Sequence, residues 1–266
     1  MRGMSTFVVH RNGRAATSED LAPLAFAGYA HFTAMQVRGR RIRALDLHLA
    51  RLRNASVEMF GTALPDEAVA AYLRAALKEG PEDVSLVATV YSPEFSTADA
   101  EPQVLVRTGP ATDGPAGTLS LATFEYERVL PEIKHAGEVA KTYYPKQAAK
   151  RGFDDAAFVD RHGRLTEASI WNLAFWDGDA VVWPEAPVLG GITMGILRRQ
   201  LERLGVAQRA QVLTVEDLPA LRGAVVMNSW TPGVAVSRID GVELGTPESF
   251  VELLHRAYEA EPLVAP

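Results

Sequence analysis

Ten residues near the middle of the chain constrain its architecture more than any others. Thr108–Gly117 holds three glycines, two prolines and no large apolar side chain. Such a stretch adds nothing to a core and interrupts helix and strand alike, so it predicts a surface crossing between two cores. A length of 266 residues is enough for two modest domains. The expected boundaries are a small N-terminal domain over 1–110, a linker over 108–117 and a larger C-terminal domain over 118–266.

On the N-terminal side, Phe7–His10 reads as a strand entering an Asn12-Gly13 turn, and Leu21–Leu24 as a loop or single helical turn. His31–Val37, turning at Arg38–Arg40 and resuming at Ile42, has the pattern of a hairpin. Asp46 is placed to cap a helix with Leu49, Leu52 and Val57 on one face, ended at Gly61. A second helix is expected over Asp66–Leu77, then strands at Val84–Tyr91 and Pro102–Arg107. Past the linker, strands are expected at Leu119–Phe124, Asp155–Asp160, Leu173–Trp176, Ala180–Trp183 and Ala224–Met227. Helices there end at Arg151–Gly152, open at Thr193, and start from Thr246 as N-cap with Pro247 behind it. The mixture is α/β.

Composition narrows the class of function. A net charge of −6 with no Lys/Arg run gives no field for nucleic acid. Without cysteine there is no disulfide framework and no thiolate metal or redox site. No apolar run approaches the ~20 residues that span a bilayer, and Met1–His10 lacks the pattern of a signal peptide. The expectation is a cytoplasmic protein that binds neither membrane nor nucleic acid, with no metal.

Five lysines stand against 22 arginines. Lysine can lose its proton when desolvated and attack a carbonyl, whereas guanidinium stays charged. Lys134, in Pro131–Gly137, follows an apolar Ile and precedes the small pair Ala136 and Gly137. Three further features converge on a phosphorylated aromatic cofactor. Gly190–Thr193 stands just before a helix, where free N–H groups and the helix dipole favour an anion. Asn228–Thr231 follows a strand with hydroxyls and amides that suit a second anion contact. Glu167, set among core-forming residues, needs a cationic or protonated partner, and a pyridinium nitrogen is one. Each alone also describes an ordinary loop, turn or strand edge.

Their order carries more weight. Lys134, Ala149–Gly152, Asp154–Asp160, Gly163–Glu167, Asn172 and Gly191–Thr193 follow one another as in the class IV (fold type IV) pyridoxal-phosphate enzymes, which the chain resembles over nearly its whole length. That family includes branched-chain and D-amino-acid aminotransferases and aminodeoxychorismate lyase. His48–Leu52 is similar to the family's His-x-x-Arg-Leu, whose Arg binds the cofactor phosphate. The resemblance implies a small α/β domain, a larger domain with a barrel-like sheet, pyridoxal 5′-phosphate as cofactor and a homodimer. It implies that Lys134, 18 residues before Gly152, is the lysine that joins the cofactor aldehyde, whereas Lys141 and Lys146 lie in or near a helix. Glu167 would hold the pyridine nitrogen, and Arg51, Ile192, Thr193 and Ser229, with Trp230 beside it, the phosphate side.

Three departures separate this chain from well-known members. Met194 follows Gly-Ile-Thr where an Arg is usual, Val90–Phe95 offers no Arg for a substrate carboxylate, and Phe32 stands where D-amino-acid enzymes have Tyr. The expected activity is transfer of an amino group between a small amino acid and a 2-oxo acid. Two other readings stay open. Ile133–His135 and Phe32–Thr33 look like the lyase's versions of the motifs, and Met194 with the missing Arg leaves room for a catalytically silent relative.

Overall fold

The computed structural model describes residues 7–26, 28–93 and 101–266. The chain divides into two compact units. The first holds residues up to Thr112, Ile133–Glu138 and Pro262–Pro266; the second holds Asp113–Glu132 and Val139–Glu261. The break between Thr112 and Asp113 falls inside the Gly/Pro stretch. The short segment carrying Lys134 belongs by its contacts to the first unit, not to the larger domain that the sequence predicts for it.

The first unit is an antiparallel sheet covered by helices. Its elements are β1 (Val9–Arg11), β2 (Arg14–Ala15), α1 (Ser18–Phe26), β3 (Ala30–Arg38), β4 (Arg41–Arg43), α2 (Leu45–Phe60), α3 (Asp66–Lys78), β5 (Val84–Tyr91) and β6 (Gln103–Pro110). Among the described residues the strand order is β2-β1-β6-β5-β3-β4, with a C-terminal strand, Leu263–Val264, added beyond β4. Alternate residues of β3 and β5, Met35, Val37, Val84, Leu86 and Ala88, are buried with Leu52, Val69 and Leu73 of the helices. The expected hairpin is β3–β4, turning through Gly39 and Arg40, both at positive φ.

Four local expectations need correcting. Leu21–Leu24 lies within a nine-residue helix, because Thr17 and Asp20 cap it reciprocally: Asp20 N–H donates to Thr17 Oγ1 and Thr17 N–H to the Asp20 carboxylate. Asp46 is the second residue of α2, not its cap; Ala44, in the left-handed region, precedes the helix. Val57 is 53% exposed, and the buried face of α2 is instead His48, Leu52, Ala55, Ser56 and Met59. Strand β6 runs on to Pro110, into the predicted linker, where a residue without an N–H ends the ladder opposite Val84.

The second unit contains a closed six-stranded barrel. Its elements are β7 (Leu119–Glu125), α4 (Ala140–Lys150), β8 (Asp155–Val159), β9 (Leu165–Ala168), β10 (Asn172–Trp176), β11 (Val181–Pro184), α5 (Ile192–Arg203), β12 (Gln208–Gln211), β13 (Gly223–Met227), β14 (Val234–Ile239), β15 (Val242–Glu243) and α6 (Glu248–Glu259). Strands pair in the order β10-β13-β14-β7-β8-β9, and β9 returns to β10 through Glu167 and Asn172 to close the ring. Strand parity then sorts the core. Leu173, Phe175, Ala224, Val226 and Val236 share one cluster with Leu121 and Leu165. Ala174, Val225 and Met227 point the other way and pack with Leu197, Leu201, Phe250 and Leu254 of α5 and α6. The polar strand β12, Gln208–Gln211, escaped the sequence reading because it carries no apolar pattern. No helix among the described residues is long and apolar enough to cross a membrane.

Candidate active site

In the first unit, Ile133–Glu138 lies against β3 like a further short strand. Phe32 N–H donates to the Lys134 carbonyl (2.9 Å), Ala136 N–H to the Ala30 carbonyl (2.7 Å), and His31 bridges His135. Ile133 is buried with Ala55 and Met59 of α2. A Cβ on Gly28 would meet the Gly137 backbone at 2.9 Å, so this approach needs glycine there. Held this way, Lys134 Nζ stands 5.0 Å from the centroid of the Phe32 ring.

The opposite face of β3 meets α2. Thr33 Oγ1 and His48 Nδ1 are hydrogen-bonded at 2.6 Å, and His31 Nε2 and Ser56 Oγ at 2.9 Å. Burial pushes His31 down to about 4, and its Nδ1 has no partner. Burial, aided by the nearby Arg51 charge, pushes His48 down to about 3. Both imidazoles are therefore neutral at physiological pH. Arg51 lies one helical turn beyond His48 and is half-buried.

In the second unit, Glu167 is buried at the β9–β10 junction. Arg128 Nε donates to its Oε1 at 2.7 Å, and both side chains are under a tenth exposed. The sequence predicts a cationic or protonated partner for this carboxylate, of which a pyridinium nitrogen is one; within the protein Arg128 is another. Nothing in the polar run Glu125–Arg128 separates that arginine from a surface one. The pair borders a cavity of about 300 Å³, with Tyr126, Phe158, Asp160 and Arg164 also on its wall.

Helix α5 starts at Ile192 after Gly191, leaving its first-turn amides outside the helical ladder. Thr193 is buried and its hydroxyl donates to the Asn228 carbonyl at 2.7 Å, so the turn is tied to the end of β13. Trp230 N–H is taken by Asn228 Oδ1, and its indole packs edge-on to Trp171 while remaining 41% exposed. Ser229, next to Trp230 in the chain, is half-buried. Met194 packs into the core under α5 and brings no charge. Of the Val90–Phe95 segment, Glu94 and Phe95 lie outside the described residues.

These features suit the parts of pyridoxal phosphate. Ile192 and Thr193 present amides at a helix N-terminus that would accept a phosphate, and nothing stands within 4 Å of a Cβ built on Gly190. Glu167 keeps a second carboxylate oxygen besides the one that Arg128 engages.

Residues 30–239 match the model of the amino-transferase class IV family. No curated protein matches the chain. Among solved structures, the branched-chain aminotransferase of Thermoproteus uzoniensis with norvaline is similar at 18% identity and a TM-score of 0.84, covering 96% of this chain and 94% of that one. The branched-chain aminotransferase of Thermobaculum terrenum in its PLP form gives 17% and 0.80, over 96% and 93%. A provisionally named 4-amino-4-deoxychorismate lyase of Legionella pneumophila gives 17% and 0.78, over 90% and 92%. At these identities the structures speak for the fold. The family match spans most of the sequence, and the chain belongs to the class IV aminotransferases, a family of pyridoxal-phosphate enzymes.

Proposed function

We propose that this protein uses pyridoxal phosphate to move an amino group between a small amino acid and a 2-oxo acid, and that it works as a homodimer in the cytoplasm. The observation that carries the reading is Lys134, pinned through its own carbonyl to β3, with its amine held over the Phe32 ring. When bound, the cofactor supplies an aldehyde for amine capture and a ring that draws electrons from the substrate Cα.

The chain's residues divide the remaining work. Lys134, once neutral, would be the amine that holds the aldehyde and the base that takes the proton from Cα. Glu167 holds the proton on the pyridine nitrogen, and Arg128 fixes the direction of that carboxylate. Arg51, the amides of Ile192 and Thr193, and Ser229 bind the phosphate, with Trp230 beside them. Two backbone hydrogen bonds to β3, at the Lys134 carbonyl and the Ala136 N–H, fix the segment that carries the amine.

A lyase of the aminodeoxychorismate type is the second reading. Ile133–His135, Phe32–Thr33 and the likeness to the Legionella structure favour it. Loading the protein with an amino acid and adding pyruvate separates the two. Amino-group exchange is expected here, whereas pyruvate release from aminodeoxychorismate would favour the lyase. A protein that stays colourless with added pyridoxal phosphate would favour a silent relative.

A further inference from the structure

Asn172 opens β10, and its side chain is buried. Its Nδ2 donates to the Leu189 carbonyl across 2.7 Å. Its Oδ1 faces Gly191, where an added Cβ would sit 1.8 Å away. Leu189–Gly191 is the end of the loop that delivers Ile192 to the start of α5. Through its backbone, Asn172 is the cross-strand partner of Glu167 on one side and of Met227 on the other. Met227 precedes Asn228, whose carbonyl receives the Thr193 hydroxyl. One residue therefore links the carboxylate of β9, the exit of β13 and the turn before α5.

We propose that Asn172 is a positioning residue that holds the α5 turn in register with Glu167. It would thereby set the spacing between the amides that bind the cofactor phosphate and the carboxylate that meets its ring nitrogen. The inference rests on the functional reading above, in which those two groups engage opposite ends of one molecule. The cofactor joins its ring and phosphate covalently, so a displaced turn cannot be matched by moving one end alone. Gly191 is the other half of the device: it admits the Asn172 amide because it has no side chain.

The test compares pyridoxal phosphate with pyridoxal, which lacks the phosphate, as ligands of the wild type, Asn172→Ala, Gly191→Ala and the double variant. Affinities are read by absorbance titration, and folding by thermal unfolding without ligand. Asn172→Ala should bind pyridoxal phosphate about tenfold or more weakly, while pyridoxal affinity moves by less than about threefold. Gly191→Ala should show the same split. In the double variant the losses should not add, because the added methyl no longer meets Oδ1. If Asn172→Ala does not fold, Asn172→Asp, of the same shape but without the donor for Leu189, is measured for the same split.

Equal weakening of both ligands, or additive losses, in a protein whose wild type prefers the phosphate ester would overturn the positioning role and leave the phosphate site standing. A wild type that binds pyridoxal as tightly as its phosphate would overturn the underlying reading, and the positioning role with it.

Discussion

Arg128 and Glu167 form a buried ion pair, Nε to Oε1 at 2.7 Å, at the point where β9 meets β10 to close the barrel. The pair joins the proposed chemistry to the fold. The same carboxylate that would hold a ring nitrogen also neutralises an arginine that water reaches poorly.

Replacing Glu167 should therefore act on stability and on chemistry at once. Glu167→Gln removes the carboxylate charge that Arg128 Nε meets at 2.7 Å, and breaking a buried pair in this way costs about 3–5 kcal/mol. Adding Arg128→Met should recover much of that loss, since an uncharged pair of similar volume is often as stable. Urea unfolding of the single and double variants checks this. In the loaded protein, Glu167→Gln should bind amino acids near-normally while exchanging the Cα hydrogen several decades more slowly, the pattern of an interaction made mainly in the transition state. Exchange within a few-fold of wild type would reduce Glu167 to a structural carboxylate.

Arg51 should matter more to binding of the phosphorylated ligand than to binding of its phosphate-free form. Loss of a charge-assisted hydrogen bond costs about 1.5–3 kcal/mol, so Arg51→Ala should weaken pyridoxal phosphate binding by roughly one to two decades. Pyridoxal affinity should hardly change. Thr193→Val removes a neutral donor and the tie to Asn228, so its deficit should be smaller and accompanied by a lower melting temperature. Identical affinities in Arg51→Ala and wild type would take Arg51 out of the site.

The α2–β3 interface should make folding pH-dependent in a defined window. His31 and His48 are held down to about 4 and about 3 in the folded chain, whereas an unfolded histidine titrates near ~6.5. Between those values the unfolded state binds more protons, so stability is fully present above about pH 6.5 and falls as pH drops toward 4. Urea midpoints measured across that range should decline, and His31→Gln with His48→Gln should flatten the decline. An unchanged slope in the double variant would show that other groups carry it.

Much of this fold could be read before it was seen, because hydrophobic period and turn chemistry agree along most of the chain. The Asn12-Gly13 and Gly39-Arg40 turns and the αL glycine ending α2 at Gly61 are local devices, and each turn or helix end forms where its residues demand. Part of what was missed depends on neighbours distant in sequence. Gln208–Gln211 becomes a strand only because β11 offers it a parallel edge, and Val57 faces solvent because β3 selects the His48–Ser56 face of α2. The site followed the same rule. Lys134, Glu167 and Thr193 are proposed from the order of their motifs. Arg128 is not, since its importance lies in a contact 39 residues away, and Asn172 showed its geometry only once Gly191 stood against it.

The central claim is that Lys134 is the lysine that joins the cofactor. Borohydride added to the protein mixed with pyridoxal phosphate fixes the cofactor on the lysine it has reached, and peptide mass spectrometry locates it. The account predicts loss of visible absorbance and a single label on Lys134, absent from Lys134→Ala. A label found mainly on Lys141 or Lys146, both in α4, would contradict it.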